Sequence, residues 1–319
     1  MKQEEPTRTV VHIGYPKCAS TYLQRLIFPQ LPNFADLSDA PYEDKALLYH
    51  RGMTPEAYRI MVARHMRRRD DTIPFRILSC ESYVELPFRG FERNFGRVAL
   101  RRGIDPAPYD HRNEVIARNL ARTWPDAFIL IVIRNPLDWA VSRYDHWYRR
   151  DLVDEPLDSC LDEPGGGYDE VWRLYAGWFG REHVRVIPYE RLRADPEGFV
   201  REAVSFADPD LRPEVPSLPM NAAPSSRAEV EYRRAGYRLK HRGGHQGSGR
   251  PLRRVARALL PCTRPFFRLR YGNKIYRSAV SPEAVRRLRP GLAASCSRLQ
   301  QETGIDLARW GYPVEGRGV

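Results

Sequence analysis

The chemistry of this chain starts at Lys17, inside the compact turn Gly14-Tyr15-Pro16-Lys17-Cys18-Ala19-Ser20-Thr21. Small side chains at Ala19 and Ser20 let a ligand approach the backbone. Ser20 and Thr21 offer hydroxyls, and Lys17 adds a mobile ammonium. The set suits a phosphate or a sulfate. Lysine is scarce here: of 52 Lys and Arg, only five are Lys. Its use at position 17 runs against the habit of the chain, and a compact ammonium is not interchangeable with a guanidinium. Further along, Arg134 offers a planar fork for an anion, and Ser142 a hydroxyl to complete the contact. The plain readings are a strand-turn-helix that binds nothing, an arginine held in a salt bridge, and a serine that packs a helix.

These residues need elements to place them. Thr9 to Ile13 is a short β-branched run and reads as a buried strand. After the turn comes a helix with Leu23, Leu26 and Ile27 on one face. Strand, tight turn and helix aim the unpaired N–H groups of the first helical turn, and the positive end of the helix dipole, at one point. The turn is not a Walker A loop, because no Gly-Lys-Ser/Thr triplet occurs. Phe75 to Cys80 reads as a second strand, leading to Glu81. Ala127 to Ile133 is the most apolar stretch, as expected of a central parallel strand covered on both faces. It ends at Arg134-Asn135, and Pro136 can open a helix. Val184 to Ile187 is a fourth strand, followed by Pro188-Tyr189-Glu190 and another helix. Helices are also expected over 43–69, 113–123, 168–179 and 282–307, with 151–167 as an acidic loop. His12 reads as core, and His146 as surface or sheet packing.

Strands alternating with helices predict an α/β, three-layer fold with a central, mostly parallel sheet flanked by helices. In such sheets ligands sit at the carboxyl ends of the strands. That rule brings the 14–21 turn, Glu81, Arg134 and Tyr189 to one rim. A single domain over 1–319 is expected, with a core at 9–210 and a basic, helical extension at 211–319 placed to close over the site.

Composition narrows the class. With 42% hydrophobic residues and six Trp the chain folds around a core. No apolar run approaches the ~20 residues of a membrane span, and no signal-peptide core precedes the first strand. Five cysteines without CxxC spacing suggest neither a disulfide framework nor a zinc site. A reducing cytoplasm is the expected location. The net charge of +12 resides in one late segment, Arg227 to Arg289. That confinement argues for a local anion-facing surface rather than nucleic acid.

Three stretches together resemble a known family. Tyr15-Pro-Lys-Cys-Ala-Ser-Thr-Tyr-Leu23 resembles the 5′-phosphosulfate loop of sulfotransferases that use 3′-phosphoadenylyl sulfate (PAPS). Arg134-Asn-Pro-Leu-Asp-Trp-Ala-Val-Ser142 is similar to their 3′-phosphate motif, with the same Arg-to-Ser spacing. Pro188-Tyr-Glu-Arg-Leu192, followed by Ala194-Asp-Pro196, is similar to their Tyr-Glu-Asp-Leu…Asp-Pro segment. The resemblance covers roughly residues 9–210 and implies a P-loop-like fold.

It implies that Lys17 meets the bridging oxygen between phosphate and sulfonate, and that Cys18, Ala19, Ser20 and Thr21 cradle the 5′-phosphate. Arg134 and Ser142 would hold the 3′-phosphate, with Tyr22 and Tyr189 flanking adenine. Ala19 and Tyr22 stand where many members have Gly and Trp. Glu81 occupies the place of the general base, which is a His in cytosolic members and a Glu in several carbohydrate-directed ones. Arg242-Gly243-Gly244 is a weak match to the family's late basic, glycine-containing segment.

The implied reaction moves a sulfonate from PAPS to a hydroxyl, less readily an amine, of a carbohydrate, glycolipid or polysaccharide. It releases adenosine 3′,5′-bisphosphate and needs no metal. Residues 250–260 form a basic amphipathic stretch suited to an anionic membrane, which would put the protein at the inner membrane face. Two other readings stay open: a P-loop-type kinase or phosphotransferase, and a non-catalytic anion- or nucleic-acid-binding module.

Overall fold

A computed structural model describes residues 8–38, 40–41, 44, 52–84, 88, 90, 112–162, 167–216, 226–241, 260–272 and 274–316. Six strands form one sheet: β1 (Arg8–His12), β2 (Phe34–Asp36), β3 (Met66–Arg67), β4 (Phe75–Ser79), β5 (Phe128–Ile133) and β6 (Val184–Pro188). Their order is β3-β2-β4-β1-β5-β6. Every pairing is parallel except β2 with β3. From β1 the chain builds outward on one side through β2 and β4, then crosses to the other side for β5 and β6. The strands on either side of β1 thus open a crevice at their carboxyl ends, where the chain reverses its direction of build.

The sheet is dry. In β5, Ile129 to Ile133 are all buried, as a central strand with helices on both faces demands. Among the described residues, the brief α1 (Ser20–Tyr22) and four longer helices, α2 (Pro55–Arg64), α3 (Arg112–Thr123), α4 (Pro136–Arg149) and α5 (Tyr168–Phe179), complete the part that carries the site. α1 passes at once into a π-helical turn, Leu23–Ile27, and a 3-10 turn, Phe28–Gln30. Leu23 and Ile27 are fully buried, so the expected apolar face exists, on a wider coil than an α-helix. Pro29 ends it.

Two strands were not expected. β2 is three residues long, wholly buried and paired with β4. β3 turns back beside it just after α2, where the sequence reads as the end of a long helix. Of the helix expected over 43–69, the described part is α2. Thr54 caps that helix, its hydroxyl accepting from the Ala57 N–H at 3.2 Å.

The later segment is tied to this body. It contains α6 (Tyr189–Ala194), α7 (Pro196–Val204), α8 (Arg227–His241), α9 (Arg264–Tyr271) and α10 (Pro282–Thr303). On α8, Arg234 is 5% exposed. It lies 3.6 Å over the Tyr148 ring and bridges Asp151 at 3.3 Å and Asp154 at 2.6 Å. On α10, Ser295 and Arg298 donate to buried Asp169 of α5 at 2.5 and 2.6 Å. Among the described residues no helix is long and apolar enough to cross a membrane. The 250–259 stretch, Arg242 and Gly243 lie outside the described residues.

Candidate active site

The turn after β1 is a constrained coil. Cys18 N–H donates to Tyr15 O at 3.1 Å. Lys17 and Ala19 are both left-handed, at φ 71° and 63°. Left-handed residues alternating with ordinary ones point successive N–H groups into one concavity, an anion nest. Ala19 is also the N-cap of α1, and no side chain caps that end. The first amides of the helix therefore keep their donors for a ligand. The Ala19 conformation also explains why glycine suits this position, since a Cβ there costs about 1 kcal/mol.

Packing holds the turn in place. The Trp139 indole N–H donates to Pro16 O at 2.8 Å. Tyr15 is buried edge-on between Trp139 and Tyr168. Gly14 makes room for His12: a Cβ at Gly14 would sit 2.8 Å from His12 Nε2.

The charges of Lys17 and Glu81 act on each other at this turn. The Lys17 ammonium is made less basic, first by burial and then by Arg143, Arg150 and Arg149, while Glu81 opposes the shift. Glu81 follows β4, where its N–H donates to Ser38 Oγ at 3.3 Å. Its carboxylate accepts the Ser20 hydroxyl. Behind it runs a buried polar chain. Gln24 Nε2 donates to Ser38 Oγ at 2.7 Å and to Ser79 Oγ at 2.9 Å, and Ser79 Oγ lies 2.7 Å from His12 Nδ1. His12 is core, as expected, and burial pushes its imidazole down to about 3.

Arg134 leaves the end of β5. Its carbonyl accepts from Tyr168 Oη at 2.7 Å, and its guanidinium sits 5.0 Å from the Tyr189 ring centroid. Its Nε is buried with no hydrogen-bond partner. A buried donor left unpaired is costly, and an incoming anion relieves that cost. Asn135 caps α4, its Oδ1 accepting from Leu137 N at 3.1 Å and Asp138 N at 3.4 Å. Ser142 lies on this helix and is partly buried.

The remaining expected residues divide. Tyr189 opens α6 beneath Arg134, with Arg193 also 5.3 Å from its ring. Tyr22 is 8% exposed and packs into the core rather than standing at the surface. In the third motif, Glu190 accepts from the Asn135 N–H at 2.9 Å and from Tyr312 Oη at 2.8 Å. Asp195 caps α7, accepting from Gly198 N at 2.8 Å. Of the two carboxylates, Glu190 braces the end of β5 through Asn135.

His146 is partly buried. His146 lies on α4 in the field of Lys17, and burial with Lys17, Arg150, Arg143 and Arg149 drives it down to about 3. Its spacing from Trp139 is the signal that could have found it.

The sulfotransferase family model matches residues 10–213, which carry the turn, Glu81, Arg134 and Tyr189. The chain belongs to the sulfotransferase family. In fold, this sulfotransferase is similar to a sulfotransferase from Alicyclobacillus acidocaldarius. That crystal structure shares 17% identity with a TM-score of 0.52, and the match covers 96% of this chain and 98% of that one. A weaker likeness is to mouse sulfotransferase SULT7A1 complexed with PAP, at 13% identity and a TM-score of 0.37, over 78% of this chain and 74% of that one. No curated protein sequence matches this sulfotransferase with significance.

Proposed function

We propose that this sulfotransferase transfers the sulfonate of PAPS to a hydroxyl of a carbohydrate-type acceptor. The observation that carries the reading is the convergence of the Lys17 turn, Glu81 and Arg134 at the carboxyl ends of the adjacent strands β1, β4 and β5. The pieces suit a nucleotide with two separate phosphates. The nest at Lys17 to Thr21 and the uncapped start of α1 would take the 5′-phosphate. The unpaired Nε of Arg134, with the Ser142 hydroxyl, would take the 3′-phosphate. Tyr189 and Tyr22 would flank adenine. Arg242 and Gly243 are assigned to closing the site, and residues 211–319 to a late extension of one domain.

PAPS supplies an activated sulfonate whose leaving group is a phosphate. Glu81 takes the proton from the acceptor hydroxyl as its oxygen bonds to sulfur. The sulfur–oxygen bond to phosphate breaks on the opposite side. Its electron pair leaves on the phosphate oxygen, where Lys17 and the α1 amides meet the developing charge. An ammonium made less basic, first by its burial, also gives up a proton to that oxygen more readily.

The test is incubation with radiolabelled PAPS and a panel of glycans, glycolipids and phenols, with thermal shifts in adenosine 3′,5′-bisphosphate, ATP and oligonucleotides run in parallel. Label should pass to a sugar hydroxyl, and the bisphosphate alone should stabilise the fold. Stabilisation by ATP or oligonucleotides instead would overturn the reading. The cytoplasmic setting, at the inner membrane face, is tested by fractionation.

A further inference from the structure

A second cationic hollow lies at the other end of β4 from Glu81. The chain leaves α2, turns back as β3 and enters β4 at Phe75-Arg76. Between the end of α2 and this start of β4 is a cavity of about 220 Å³, lined in part by Arg59, Arg69 and Arg76, with Asn33, Asp70 and Asp71. Arg76 stands three residues, about 10 Å, before the last residue of β4. The cavity therefore belongs to the amino end of that strand, away from the rim that carries the candidate active site. Asn33 fixes its wall. Its Nδ2 donates to Asp70 O at 2.7 Å and to Phe75 O at 3.1 Å, and its Oδ1 accepts from Asp70 N at 2.9 Å.

Nothing there answers the charge of Arg76. Its Nε is buried with no hydrogen-bond partner. Among the described residues its guanidinium meets no carboxylate, carbonyl or aromatic ring. The two acids of the cavity are turned to other groups. Asp70 accepts from Thr72 N at 2.9 Å and from Thr72 Oγ1 at 2.6 Å, and Asp71 pairs with Arg69 at 2.9 Å. The negative end of the α2 dipole is also occupied, since Val62 O and Ala63 O accept from the His65 N–H. Arg59 gives one Nη to Thr123 O at 2.9 Å and has no acidic partner among the described residues. Burial, followed by the charges of Arg59 and Arg69, holds the Arg76 guanidinium below its ordinary basicity. A half-buried cation with like charges beside it and no acceptor is costly, and an anion in the cavity removes that cost.

We propose that this cavity is a binding site for a small tetrahedral dianion, sulfate or phosphate, held by Arg59 and Arg76 and flanked by Arg69. Two cations without acidic partners match a double charge, while Arg69 is shared with Asp71. The three arginines enter the cavity from a helix, a turn and a strand. That three-sided arrangement suits a tetrahedron of oxygens better than a flat carboxylate, which a single guanidinium fork satisfies. Size agrees. At ~30 Å³ for each water the cavity has room for about seven, and it is below the roughly 300 Å³ at which pockets for drug-sized ligands begin. The site is separate from the groups assigned to PAPS and does not rest on that reading.

The test uses the full chain with adenosine 3′,5′-bisphosphate saturating, so that the candidate active site is filled. Calorimetric titration at constant ionic strength compares sulfate, phosphate and malonate. Sulfate or phosphate should bind one to one, and the tighter of the two names the ligand. Malonate should bind about tenfold more weakly, and R76Q and R59Q/R76Q should weaken the oxyanion by about tenfold or more, the usual worth of a hydrogen bond to a charged group. In chloride buffer R76Q should melt no lower than wild type, because it loses an unpaired cation. Sulfate stabilises any fold by exclusion from its surface, so the site is read as the extra rise of wild type over R76Q. Selenate soaked into crystals should give an anomalous selenium peak between Arg59 and Arg76.

Malonate binding as tightly as the oxyanions, unchanged affinity in R59Q/R76Q, an equal rise in wild type and R76Q, or selenate absent from this cavity overturns the proposal. So does the absence of any oxyanion binding. Failure of the bisphosphate itself to bind counts against the sulfonate-transfer reading, and the selenium position then decides this site by itself.

Discussion

Ser20 donates its hydroxyl to the Glu81 carboxylate across the gap between the β1 turn and the end of β4. One residue belongs to the proposed anion nest and the other is the proposed base, so the two groups assigned to the reaction are in contact. Glu81→Gln keeps the shape and the Ser20 contact but cannot take a proton. Its kcat should fall by about 10²–10⁴, while affinity for adenosine 3′,5′-bisphosphate stays within threefold. Near-normal kcat would remove Glu81 as the base.

Lys17→Ala tests the other half. With PAPS saturating, kcat should drop by about 10²–10³, the usual cost of removing one preorganised charge from a developing oxyanion. Lys17→Arg should not restore it, because the bulkier fork cannot occupy the point where the turn delivers an ammonium. Transfer at the wild-type rate in Lys17→Ala would refute the assignment.

His12 makes stability depend on pH in a fixed direction. Unfolded, the imidazole takes its proton near 6.5; folded and buried, it does so only near 3. Below pH 6.5 the unfolded chain binds the extra proton, so stability is complete above that value and falls as acid is added. The slope from this group is at most about 1.4 kcal/mol per pH unit. Urea midpoints from pH 7 to pH 4 should fall more steeply in wild type than in His12→Gln. Parallel curves would show that His12 is not the group responsible.

Arg234 should matter for stability far more than a surface arginine. It is buried, stacked on Tyr148, and paired with Asp151 and Asp154. Arg238 also bridges Asp151, at 2.7 Å, so Arg234→Ala does not strand that acid completely. A loss of about 3 kcal/mol in urea unfolding is expected, at the low end for breaking a buried pair. A loss under about 1 kcal/mol would mean that Arg238 alone satisfies the site.

The sheet was legible wherever a strand was long and apolar. β1, β5 and β6 announce themselves by β-branched runs and β4 by Phe75, Ile77 and Leu78, and Pro136 marks the start of α4 as proline does at a first turn. β2 was hidden because Phe34–Asp36 is three residues beside Pro32 and Asn33. Its strand character comes from pairing with β4, not from propensity. The helix after Lys17 showed its apolar face but not its π turn, since spacing of four or five residues looks alike over one turn. The acidic stretch after α4 read as a loop, which hid Asp151 and Asp154 as anchors for arginines on α8. Pairing of charges some 80 residues apart leaves no local pattern.

Glu190 divides its two oxygens between the Asn135 amide and the Tyr312 hydroxyl, and Asn135 Nδ2 itself reaches Gly311 O at 2.7 Å. The contact between Asn135 and Gly311 spans 176 residues. On the ribosome, β5 and α4 emerge long before residues 311 and 312. The Arg134 end of the rim therefore waits, during synthesis, for this brace, and β5 and α4 emerge without it.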